Sequence, residues 1–159
     1  MMRISLRFLI SGLWVGILLA GCSHEPTNRA DLEDDFKAEY GFPPSSKITE
    51  LHSKIVTVGD TWSKWMVFTY DAATVAQITS AGFTNATAEQ IKNPWGALWS
   101  QDLASSQPNP NAPKWFQLPG GRQVRIYYKL GHPNDYAGYR YIWIDETNKT
   151  VYAKSAAWH

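Results

Sequence analysis

The chain has 159 residues, a length for one domain, and its 15 Lys+Arg against 14 Asp+Glu leave a formal net charge of +1. That balance, with no basic stripe, excludes electrostatic capture of nucleic acid, which works by displacing counterions from phosphates. A single Cys excludes an intrachain disulfide framework and a Cys-based zinc site, and 44% hydrophobic with 18% charged residues excludes wholesale disorder.

The chain opens with Arg3 and Arg7, then an apolar run from Phe8 to Ala20 broken only by Ser11, Gly12 and Gly16. Charge followed by apolar residues is the order of a secretory signal, and the run is shorter than the ~20 residues a membrane-spanning helix requires. It closes on Leu19-Ala20-Gly21-Cys22. This tetrapeptide resembles the lipobox of bacterial lipoprotein precursors. The resemblance implies that the Cys22 thiol receives a diacylglyceryl group, that cleavage falls between Gly21 and Cys22, and that the new amine is acylated. It also implies the outer rather than the inner membrane, because Ser23 stands where an Asp favours inner-membrane retention in enteric lipoproteins. The competing reading is a soluble secreted protein in which Cys22 is a chance thiol. The sole Cys falls at the one position where lipidation needs it, which sides with the anchor. Two or three acyl chains, at ~0.8 kcal/mol per buried methylene, hold far more firmly than one. The expected organisation is therefore a signal peptide over 1–21, a lipidated Cys and polar tether over 22–30, and a single globular domain over 31–159.

In the domain, Leu32, Phe36 and Tyr40 share one helical face from Asp31 onward, and Asp31, Glu33, Asp34 and Asp35 suit the amino end of the helix dipole. Gly41 predicts the stop, and Pro43-Pro44 an extended turn. A strand over Ile48 to Val58 is expected with a shift of phase, read as a bulge. After a Gly59-Asp60 turn, Trp62 to Tyr70 reads as an interior strand, with Trp62, Met66, Phe68 and Tyr70 on one face and Trp65 and Val67 on the other. Asp71 predicts the cap of a helix over Ala72 to Ala81 with Val75 and Ile78 inward, ended by Gly82. Thr87-Ala88-Glu89-Gln90 predicts a capping box, Asn93-Pro94 a further helix carrying Trp95, Leu98 and Trp99, and Ala104 to Pro113 a surface loop. The last third predicts a meander: Val124 to Leu130, Tyr139 to Asp145 and Thr150 to Trp158. Its closing turn, Glu146 to Lys149, would place Asn148 in the left-handed conformation. The expected fold class is α+β, an antiparallel sheet of about five strands with several short helices packed on one face.

Chemistry is thinly encoded. His24, His52, His132 and His159 are unpaired at ligand spacings, so no metal site is read, and no cofactor motif is present. Gly-x-Ser-x-Gly is missing, and Gly120-Gly121-Arg122 lacks a dinucleotide fingerprint. Asp71 and Asp145 are explained as a cap and a strand end rather than as a glycosidase pair. The aromatic excess carries the functional expectation: Trp95, Trp99, Trp115 and Phe116, joining a helix to a long loop, form a candidate binding surface for an envelope protein or a glycan. The opposing expectation is that the aromatics fill the core where Leu is scarce. The leading reading is a non-enzymatic, lipid-anchored envelope domain, held to the membrane through diacylglyceryl-Cys22. The alternatives are an envelope inhibitor or immunity lipoprotein and a glycan-processing enzyme.

Overall fold

A computed structural model describes residues 21–86, 111–118, 124–130 and 137–158. In chain order these form β1 (Cys22–His24), α1 (Arg29–Tyr40), β2 (Leu51–Val58), β3 (Thr61–Thr69), α2 (Ala72–Ser80), β4 (Thr84–Asn85), β5 (Arg125–Leu130), β6 (Ala137–Asp145) and β7 (Thr150–Trp158). The strands build one antiparallel sheet of seven in the order β1-β2-β3-β7-β6-β5-β4. The molecule is therefore mainly β among the described residues, with two helices, and not the α+β fold with several short helices. The five expected strands are all present. What the expectation lacked are the two edges, β1 and β4, which at three and two residues are too short to show a period. The further helices expected over 87–103 lie outside the described residues, as do residues 1–20, 119–123 and 131–136.

The expected tether begins as structure: Cys22 stands opposite Thr57, Ser23 opposite Val56 and His24 opposite Ile55. Asn28 then caps α1, its side chain accepting from the Asp31 amide at 2.9 Å, so the helix starts two residues before Asp31. Gly41 ends it with φ 82, a left-handed cap conformation that costs glycine little. Asp71 caps α2 as expected.

The β2–β3 hairpin turns through Gly59, whose φ is 62. Its pairing is unbroken from Leu51 opposite Phe68 to Val58 opposite Thr61, so the expected bulge is absent. The shift expected between Leu51 and Ile55 on the one hand and Val56 and Val58 on the other is the two sides of one regular strand: Leu51, Ser53 and Ile55 share the helix-covered face, where Ser53 Oγ donates to Asp35 at 2.6 Å, and Val56 and Val58 the opposite one. In the β6–β7 turn the positive φ belongs to Lys149, at 54, and not to Asn148. Asn148 instead donates from its amide and side chain to the Asp145 carboxylate at 3.0 and 2.8 Å.

Because directly paired residues share a face, the register sorts the side chains into two layers. One face carries Leu51, Met66, Phe68, Val151, Ala153, Ile142 and Ile144, which pack with Phe36 of α1 and with Val75 and Ile78 of α2. Phe36 is the hub, its ring centroid 4.7 Å from Tyr40, 5.3 Å from Phe68 and 5.9 Å from Phe42. The other face is aromatic. Ile126, Tyr141 and Trp143 form its buried centre, with Phe116, Leu118, Tyr128, Tyr139 and Tyr152 packed around them. On this face Trp65, 1% exposed, lies under the Lys154 ammonium, 5.9 Å from its centroid.

Candidate functional site

The helix layer does not cover its whole face. Near the carboxyl end of α1 a cleft of about 300 Å³ opens between Ala38 and Glu39 and the sheet residues Ile55, Thr57, Trp62, Lys64 and Arg140. The sheet register makes these neighbours. Ile55 lies opposite Lys64 and Thr57 opposite Trp62, while Lys64 lies opposite Ser155, itself opposite Arg140.

Glu39 ties the cleft together. One of its carboxylate oxygens accepts from Ser155 Oγ at 2.6 Å and from Arg140 Nε at 3.1 Å, and the other lies 4.0 Å from Lys64 Nζ. Lys64 also donates to the Asp35 backbone carbonyl at 2.9 Å and reaches the Asp35 carboxylate at 3.7 Å. Two cations thus face two carboxylates beneath a helix, and the hydroxyls of Ser53 and Ser155 occupy further carboxylate lone pairs. Beside this network the Tyr40 hydroxyl is buried with no hydrogen-bond partner among the described residues. Burial, reinforced by the neighbouring Glu39 and opposed by Arg140, holds its pKa well above the ordinary tyrosine value.

Glu39 is committed to Ser155, Arg140 and Lys64, and the cleft presents the Trp62 indole, the Ile55 side chain and a guanidinium one-third exposed. An indole and a guanidinium lining one cleft suit a small polar or anionic group.

Of the residues expected to form a binding surface, Trp115 and Phe116 are described and Trp95 and Trp99 lie outside the described residues. Both described residues pack on the aromatic face, away from the cleft. Phe116 meets Trp143 and Tyr152 edge-on at 6.2 and 5.8 Å. Trp115 lies 5.5 Å from the His52 ring and donates its indole N–H to Glu25 at 2.8 Å. Cys22 is a free, exposed thiol at the start of β1, and Gly21 precedes it in close approach to β2. His24 and His52 are both exposed, and among the described residues no three of His, Cys, Asp and Glu gather to hold a metal ion. No described helix is long and apolar enough to cross a membrane.

No family model, curated protein or solved structure matches this chain.

The cleft was missed in the sequence, although a signal for it was present. Lys64 shares the phase of Trp62, Met66 and Phe68, and Arg140 that of Ile142 and Ile144. A charge in the buried phase of a strand demands a partner, and that demand locates Glu39 and Asp35.

Proposed function

We propose that this chain is a lipid-anchored protein of the bacterial cell envelope, acylated at Cys22, whose folded domain works by binding rather than by catalysis. The observation that carries the anchor is that the only Cys in the chain follows Leu19-Ala20-Gly21 and is an exposed thiol at the rim of the sheet, open to modification. The Ser23 that follows favours the outer membrane. The cleft under α1 supports the binding part of the reading: its charged groups are arranged against one another, and the surfaces left for a partner are Trp62, Ile55 and the Arg140 guanidinium. The partner this suits is an envelope protein or glycan presenting a polar or anionic group.

The test is metabolic labelling with palmitate in a bacterial host, comparing the natural chain with Cys22→Ser. Label in the first and none in the second is the expected result; equal label in both refutes acylation at this thiol. For the cleft, Trp62→Ala with Arg140→Ala should abolish retention of the envelope partner crosslinked to the natural chain. Unchanged retention removes the cleft from the function.

A further inference from the structure

We propose that the sheet end carrying Cys22, Val58 and Leu130 lies flat against the bilayer that holds the anchor, so that the domain stands on the membrane in one fixed orientation with its strands upright. This rests on acylation of Cys22 and goes beyond it, because an anchor alone leaves a domain free to tumble on a tether.

Here there is no tether. Cys22 is itself the first residue of β1, in register with Thr57, one position from the tip of the β2–β3 hairpin. Acyl chains on its sulfur and amine therefore leave directly from the rim of the sheet. The second observation is independent of Cys22. Among the described residues the exposed large hydrophobics are Val58, at 42%, and Leu130, at 48%. Both belong to this same end. Val58 lies opposite Thr61, Thr61 opposite Trp158, and Trp158 opposite Ala137; Leu130 closes β5 opposite Tyr139, two residues from Ala137. Val58 and Leu130 are thus four strand spacings apart, roughly 19 Å at ~4.8 Å per strand. Both alternate onto the aromatic face, whereas Cys22 shares the phase of Thr57 on the helix face. Two exposed apolar side chains and the anchor position define a plane rather than a point of attachment, and apolar groups at a membrane surface seek the acyl boundary.

The far end of the sheet carries no exposed large hydrophobic among the described residues. Its β6–β7 turn consists of Glu146, Thr147, Asn148 and Lys149, all exposed. It lies about 27 Å away along β6, eight residue steps at ~3.4 Å. The cleft sits between the ends but nearer the anchored one, since Thr57 and Trp62 line it. A partner reaching it would approach along the membrane surface.

The experiment uses the full acylated chain reconstituted in phosphatidylcholine vesicles with brominated acyl chains. Val58→Cys, Leu130→Cys and Thr147→Cys are each labelled with a bimane fluorophore, the acylated Cys22 being unreactive. Bromine quenching several-fold stronger at 58 and 130 than at 147 is the expected result. Equal quenching at the three positions, or none at 58 and 130, overturns the orientation. Palmitate content and thiol titration of the same samples separate the two ideas. An acylated protein without the quenching contrast keeps its anchor and loses the upright pose; a titratable Cys22 without palmitate removes the anchor and the pose together.

Discussion

The indole N–H of Trp115 donates to the carboxylate of Glu25 at 2.8 Å, across 90 positions of sequence. The contact joins the segment expected to recognise a partner to the segment expected to be a loose tether. Glu25 also lies 4.0 Å from Lys54 of β2, and Pro26 beside it is buried. The amino-terminal residues are thereby clamped to the aromatic face of the sheet. A partly exposed Trp here holds β1 in place and bridges to the Phe116 packing.

Trp115→Phe is expected to keep the ring contact with His52 and lose the hydrogen bond, at a cost of about 1 kcal/mol in chemical denaturation. Amide exchange at Ser23 and His24 should accelerate in the same variant. Unaltered protection there would show that β1 is held without Glu25.

The Glu39 carboxylate serves Lys64, Arg140 and Ser155 at once, and the side chains of Glu39 and Lys64 are 8% and 9% exposed. Glu39→Ala leaves Arg140 and Ser155 without their acceptor and Lys64 with Asp35 alone, and should destabilise by about 3 kcal/mol. Glu33→Ala removes only the exposed pair with Arg29 and should cost no more than about 0.5 kcal/mol. Similar losses from the two variants would show that the cleft network is solvated.

Tyr40 offers the opposite outcome. Its hydroxyl is buried without a partner among the described residues, so Tyr40→Phe should raise stability by about 1 kcal/mol. In the natural chain, the tyrosine absorbance near 295 nm that titrates only with unfolding should include one residue, because burial lifts the Tyr40 pKa. A stability loss in the Phe variant would mean that the hydroxyl is satisfied.

Acid should act through Asp71. Its pKa is lowered first by the Thr74 hydroxyl, which donates at 2.7 Å; the Thr74 amide, Ser45 and Lys47 add to this, while desolvation opposes it. A carboxylate whose folded pKa lies below its unfolded one contributes stability that is present above the unfolded value, ~3.9, and is lost as pH falls through the folded one. Asp71→Asn keeps the cap and removes the titration, so its stability should fall less steeply below about pH 4 than that of the natural chain. Parallel acid profiles would assign the acid sensitivity to another carboxylate.

Much of the frame was legible where a residue has a single local job. Asp71 could only cap, Gly41 and Gly59 could only turn, and the alternation from Val124 to Leu130 could only be a strand. The reading failed where a residue's role depends on partners distant in sequence. Ser53 holds an inward position of β2 because Asp35, its partner, lies in another element. The same holds for Lys64 and Arg140, which stand in the buried phase of their strands and whose partner is Glu39. Trp65, Tyr141 and Trp143 are buried, so much of the aromatic excess fills the second face of the sheet. Cys22–His24, polar and three residues long, acquires strand geometry only from β2.

Those three residues also cover part of the outer edge of β2. While β1 is docked, the peptide groups of β2 from Ile55 to Thr57 face a neighbour. A protease nick after His24 would free them beside Val56 and Val58, an open ladder onto which a second nicked copy could zip. Trimming this terminus would thus turn a covered edge into a self-complementary one, through which two copies pair.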